Sequence, residues 1–169
     1  MFGDLRRSRF VAYSAAFIAL ITLGSWIAIP FFPVPLTLQT LFVLLAATVM
    51  KRHAVIPVTL YILLGALGLP VFHNGIAGIG VLLGPTGGYI AGFIPATLIA
   101  GYAYDCPSSR VRIAGLAAAS GIILVTGMAW LICSTGMAPA AAVLAGLVVF
   151  LPGDTVKIYA VYRIAQNLP

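Results

Sequence analysis

Apolar residues dominate six stretches of this chain, at residues 10–29, 36–50, 54–69, 87–104, 113–135 and 138–163, with most polar residues gathered between them. A helix needs about 20 apolar residues to cross hydrocarbon. Each stretch therefore predicts a membrane-spanning helix, the shorter ones tilted or supported by neighbours. The expected fold is an all-α integral membrane protein, one transmembrane domain of six helices over residues 1–169.

Charge tests the count. Arg6, Arg7 and Arg9 precede the first stretch, Lys51 and Arg52 follow the second, Arg110 and Arg112 follow the fourth, and Arg163 ends the sixth. With six crossings all four places fall on one side. The opposite segments, residues 30–35, 70–86 and those around Gly136, hold no Lys or Arg. Basic loops mark the cytoplasmic face, so both termini are expected there; a miscount by one would scatter the charges. Arg6, Arg7 and Arg9 before an apolar run also fit a secretory signal. That run is long for a signal and right for a span, and is read as a retained first helix.

Composition agrees. The chain is 62% hydrophobic and 7% charged, with mean hydropathy +1.14, where soluble chains carry about 25% charged residues. The net charge of +6 comes from scattered bases that form no stripe for a phosphate backbone; nucleic acid is not an expected partner, the lipid bilayer is. Cys106 and Cys133 have no metal or redox spacing and read as small buried hydrophobes. Residues 113–135 carry Gly115, Gly121 and Gly127, which suggests close helix packing and no chemistry.

One basic residue breaks the pattern. Lys157 lies inside the sixth stretch, three residues after Asp154, and i, i+3 positions share a helix face. Either charge alone in hydrocarbon costs about 2.5–3.5 kcal/mol on insertion scales. The pair is either a ligand site facing a cavity or an ion pair locking helices together. Residues 68–89 are the second unusual segment, with seven glycines and two prolines. They are too apolar for a solvated loop and too glycine-rich for a stable helix, and irregular backbone at membrane depth lines cavities. No Gly-Lys-Ser/Thr follows, so a nucleotide site is discounted. His73 here is either a proton carrier or a loop residue at the surface. Asn74 offers both a donor and an acceptor, and Tyr89 is either an interface anchor or a wall of the site. Residues 30–35, with three prolines, form a stiff extended loop whose Phe31 and Phe32 lie on the membrane or fold over a site. Thr37, Gln39 and Thr40 follow at the mouth of the second stretch, polar groups that need partners in lipid. In the first stretch Ala12 and Ala16, and Ala15 and Ala19, are small residues four apart; they reflect either alanine's abundance in membrane helices or a docking surface.

Four segments carry a resemblance: Pro33-Val34-Pro35-Leu36-Thr37-Leu38-Gln39-Thr40-Leu41, Gly68-Leu69-Pro70-Val71-Phe72, Gly84-Pro85-Thr86-Gly87-Gly88-Tyr89, and Pro152-Gly153-Asp154 with Lys157. In this order and spacing they resemble the BioY family, the biotin-specific S components of energy-coupling factor (ECF) transporters, over nearly the whole chain. The resemblance implies a six-helix protein of a prokaryotic cytoplasmic membrane that captures biotin from outside. It implies delivery through a module of two ABC-type ATPases and a transmembrane coupling protein, and toppling in the membrane to release the ligand inside; some members also work without a dedicated module. Ala12, Ala16 and Ala19 are similar to the surface that docks the coupling protein. His73 and residues 76–79 depart from the family's small-residue loop.

Biotin has two ureido N–H donors, a ureido carbonyl, an apolar bicycle and a valerate carboxylate. On this resemblance Asp154 accepts a ureido N–H, and Lys157 supports it or donates to the carbonyl. Asn74 completes the ring contacts, Phe31, Phe72 and Tyr89 pack on bicycle and tail, and Gln39 and Thr37 bond the tail or close the first loop. Thr86 and Gly84 complete the expected ligand-binding set. No outside-facing Arg meets the carboxylate; a backbone nest in the glycine-rich loop or water at the mouth is left for it. The competing classes are a proton-coupled secondary transporter with Asp154 as proton carrier, and an assembly subunit that binds no small molecule. No HExxH, GxSxG, metal-ligand cluster or Walker motif is present, so neither an enzyme nor a resident cofactor or metal is expected, and ATP is used only by partner subunits.

Overall fold

A computed structural model describes residues 2–168, with side chains from Arg7 onward; Arg6 lies outside the described side chains. Helix α1 spans Phe2–Trp26. It stops before the apolar run does, because Pro30 lacks an N–H and disfavours helix at the residue before it. Ala28 and Ile29 instead pair antiparallel with Thr37 and Leu36. This short ribbon departs from a purely helical reading, and holds the loop of residues 30–35 as a closed flap.

Helices α2 (Gln39–Met50) and α3 (Val55–Ala66) are joined by a 3-10 turn at Lys51–Ala54. Lys51 takes a positive φ of 55° there, and the chain reverses. Gln39 Nε2 lies 2.8 Å from Tyr61 Oη, whereas on one straight helix the two residues would stand about 33 Å apart. The continuous apolar stretch Gln39–Ala66 is thus a helical hairpin.

The glycine-rich segment is less irregular than expected, since it holds a short helix α4 (Ile79–Leu83). Helix α5 (Gly87–Asp105) then packs along α6 (Ser109–Thr135). Glycine makes this approach possible: a Cβ at Gly88 would meet Trp130, and one at Gly127 would meet the Tyr89 ring. Gly115 sits likewise against Ala103, but Gly121 faces open space and takes no part in packing. Cys106 and Cys133 are exposed, not buried as expected; Cys106 falls in the loop that ends α5, and Cys133 lies on an outward face of α6 that the apolar pattern alone does not distinguish from an inward one.

The sixth apolar stretch is broken. It forms α7 (Pro139–Gly146), a 3-10 turn at Val148–Phe150, and α8 (Leu151–Gln166). Leu147 leaves helical geometry at φ −130°, ψ −61°, and the Tyr89 hydroxyl donates to the Gly146 carbonyl at 2.6 Å, satisfying a helix-end acceptor. Pro152 falls in the first turn of α8, where its missing N–H costs nothing.

Large apolar side chains cover the outside, among them Val11, Leu23, Leu60, Leu63, Val125 and Val156. Arg7–Trp26, Gln39–Ala66, Ser109–Thr135 and Pro139–Gln166 are each long and apolar enough to cross a membrane. Polar contacts separate the two ends of the bundle. At one, Lys51 Nζ stands 3.1 Å from an Asp105 carboxylate oxygen, Phe10 meets His53, and the Arg112 guanidinium lies 5.3 Å from the Tyr104 ring centre. Asp105, Arg110 and Arg163 are exposed. At the other, the Trp26 indole N–H donates to the Pro70 carbonyl at 3.2 Å and the Ser25 hydroxyl to that of Val71 at 2.8 Å. The basic residues that flank the helices thus share one end, and the proline-rich and glycine-rich loops share the other.

Candidate ligand pocket

The break before α8 places Asp154 in that helix's first turn, where the unpaired N–H groups and helix dipole favour an anion. Asp154 is only 5% exposed, so its charge needs partners. Its Oδ2 accepts from the Ser120 hydroxyl at 2.7 Å and its Oδ1 from Lys157 Nζ at 3.2 Å. Lys157 Nζ also donates to Thr40 Oγ1 at 2.8 Å. Helices α2, α6 and α8 are tied here through one charged cluster. An ammonium has three N–H donors; two are committed, and the third is spare. Thr40 accepts from Lys157, which leaves its own proton to donate.

A second chain of bonds fixes Gln39, which is buried. Tyr61 Oη lies 2.8 Å from the Val71 carbonyl, an acceptor only, so the tyrosine proton goes there. Gln39 must then donate to Tyr61 through Nε2, which leaves its carbonyl oxygen as a spare acceptor. Ser25 bonds the same Val71 carbonyl, so one loop residue anchors α1, α3 and, through Tyr61, α2.

Asp154, Lys157, Gln39 and Thr40 line a narrow cavity of about 50 Å³ with Val34, Pro35, Thr37, His73, Thr86, Tyr89, Ile90, Phe93, Ile123, Leu124 and Phe150. Its walls are mostly apolar, and Asp154, Lys157 and Thr40 form a bonded polar cluster in them. Above it lies an open vestibule of about 340 Å³ lined by Pro30, Phe31, Phe32, Pro35, His73 and Asn74. Burial holds the His73 imidazole below its ordinary value.

Of the expected site residues, Asp154, Lys157, Gln39, Thr37, Thr86 and Tyr89 meet at the inner cavity. The Tyr89 ring forms a wall beside Phe150, ring centres 5.7 Å apart, and its hydroxyl is spent on Gly146; it is no interface anchor. Phe31 and Asn74 lie in the vestibule. Phe72 is not on the cavity. It is fully buried, edge-on to Tyr61 and against Gly65, because the turn after Val71 drives its large ring into the gap a glycine leaves on α3. Gly84 also stands off the cavity; its carbonyl accepts from the Trp130 indole at 2.9 Å, pinning the glycine-rich segment to α6. Ala12, Ala15, Ala16 and Ala19 are exposed along one side of α1. Sequence reasoning gave α6 no chemistry, yet Ser120 completes the Asp154 shell; its signal was only that a hydroxyl in a membrane span needs a partner. The apolar walls Phe93, Ile123, Leu124 and Phe150 had no signal among so many similar residues.

Fold and site together define a multi-span helical membrane protein built round one buried, charged pocket. A family model described as "BioY family" matches residues 3–169. The probable biotin transporter BioY of Pyrococcus horikoshii is 35% identical over 163 residues, covering 96% of this chain and 97% of that protein. The biotin transporter BioY of Thermotoga maritima is 46% identical over 114 residues, 66% of this chain and 68% of that one. Among solved structures, the crystal structure of the S-component for biotin from an ECF-type ABC transporter superposes with a TM-score of 0.87 at 24% identity, covering 96% of this chain and 92% of that one. The chain belongs to the BioY family.

Proposed function

We propose that this chain is the biotin-capturing S component of an ECF-type importer. The observation that carries the reading is the set of hydrogen-bonding groups left over at the buried pair. A ureido ring offers two N–H donors and one carbonyl. The cavity offers the Asp154 carboxylate and the Gln39 carbonyl as acceptors, and the third Lys157 N–H and the Thr40 hydroxyl as donors. Bonds to charged groups in a dry site are the strong ones. Tyr89, Phe93, Ile123 and Phe150 supply apolar and aromatic wall for the bicycle. A cavity of about 50 Å³ holds only a few waters, so the ligand enters by parting the mouth at Pro35 and His73, between inner cavity and vestibule.

The helices make six crossings in this reading: α1, α2, α3, α5, α6, and α7 with α8 as one broken span. The basic end faces the cytoplasm with both termini, and the pocket opens outward, in the cytoplasmic membrane of a prokaryote. Thr37 stands at the pocket rim and Asn74 and Phe31 guide the ligand in the vestibule. The exposed Ala12, Ala16 and Ala19 face of α1 docks a transmembrane coupling protein, and two ABC-type ATPases supply the energy.

Labelled-biotin uptake tests the reading, in cells that lack their own transporter and express the chain with an ECF module. The expected result is uptake that needs the chain and is abolished by ATPase-dead module subunits. Uptake that persists without any ATPase and collapses with a protonophore would overturn it.

A further inference from the structure

The inner cavity and the vestibule share two residues, Pro35 and His73. Pro35 offers no side-chain hydrogen bond. His73 is therefore the one side chain able to bond a ligand from both spaces at once. If biotin's ring rests on Asp154 and Lys157, its tail runs toward this mouth and brings a carboxylate with it. An anion leaving water there needs a donor, and charged ones serve best. The cations that contacts place are committed or distant. Lys157 is held by Asp154 and Thr40 and its third N–H serves the ring in the reading above, while Lys51 and Arg112 stand at the opposite end of the bundle.

We infer that His73 receives the ligand's carboxylate and takes up a proton as it does so, which makes biotin capture tighter as pH falls. The inference rests on the biotin reading above. The surroundings isolate the imidazole from other titrating groups. The end of α1 that packs on this turn presents Ser25 and Trp26, both bonded to loop carbonyls. The nearby end of α3 presents Tyr61, bonded to Val71. The loop of residues 30–35 has no titratable side chain. The inner cavity adds Tyr89, bonded to Gly146, and the mutually paired Asp154 and Lys157.

The sign follows. Burial lowers the His73 value in the free protein, so the ring is neutral near pH 7. A carboxylate beside it favours the charged form and raises that value in the complex. Between the two values, binding takes up a proton and affinity rises as pH falls, by up to about tenfold per pH unit. Above the complex's value and below the free value, affinity is flat.

Calorimetric titration of the full chain in detergent tests this at pH 6.0 and pH 8.0, in buffers of contrasting ionisation heat. The ligands are biotin and its primary amide, which keeps the ring and lacks the anion. Biotin is expected to bind about tenfold tighter at the lower pH, with net proton uptake, and the amide with neither effect. His73→Gln should remove the pH dependence and the uptake for biotin. His73→Arg should restore tight binding at both pH values. Biotin binding that is independent of pH with no proton uptake would overturn the inference, as would an unchanged pH dependence in His73→Gln. Failure of biotin and amide alike to bind would instead overturn the biotin reading on which it rests.

Discussion

Asp154→Asn is the sharpest single perturbation of the pocket, because it keeps the side chain's shape and removes only charge and one acceptor. Asp154 is 5% exposed, so water does little to screen the change. A hydrogen bond to a charged group contributes about 1.5–3 kcal/mol net and a neutral one about 0.5–1.5. Losing the charge from one ureido contact therefore costs about 1 kcal/mol. One side-chain atom also becomes an N–H that confronts the ligand's N–H, and the two losses together reach at least about 1.4 kcal/mol, or tenfold in affinity. The assay is calorimetric biotin titration of the purified variant, with gel filtration and thermal melting to establish that it is folded. The variant leaves Lys157 without its counter-charge, so Asp154→Asn/Lys157→Met serves as a second variant with no unpaired buried charge. Both are expected to bind at least tenfold more weakly. Wild-type affinity in either folded variant would refute the assignment of Asp154 to the ligand.

The same pair predicts a stability pattern. Lys157→Met alone leaves Asp154 held by Ser120 only and should destabilise by about 3–5 kcal/mol, while the double variant loses much less; equal losses in melting experiments would show that the pair is not coupled. At the α5–α6 contact, Gly127→Val forces its branch into the Tyr89 ring and should cost about 1–3 kcal/mol and weaken biotin binding. Gly121→Ala, facing open space, should be neutral or gain up to about 1 kcal/mol in the same melts. On the outer face of α1, Ala16→Phe should leave biotin binding by the isolated chain unchanged and abolish module-dependent uptake. Normal uptake by that variant would remove this face from the docking surface.

The central chemistry was legible because it violated the pattern around it. An acid and a base three residues apart in a chain of three acidic residues stand out in any apolar run, and the structure brings them 3.2 Å apart. The basic residues that flank the runs likewise gather at one end of the bundle. What was not legible depends on contacts between distant segments. Nothing local at Leu147 announces the break that puts Asp154 at a helix start; it is stabilised from α5, by the Tyr89 hydroxyl. Phe72 looked like a pocket aromatic from its position in a family-like segment, but the hole left by Gly65 decides where its ring goes. Ser120 and Thr40 matter because α6 and α2 bring them to α8, which spacing along any one helix does not reveal. Gly115, Gly121 and Gly127 all read as packing glycines, and only the register of α5 on α6 separates the two in contact from the one that is not.

The most direct measurement is calorimetric titration of the detergent-purified chain with biotin, with an unrelated vitamin as control. Tight, saturable and selective binding near one biotin per chain is the result expected if the Asp154–Lys157 pocket captures the vitamin. No biotin heat from a protein shown to be folded would contradict that role and return the buried pair to a structural lock between helices.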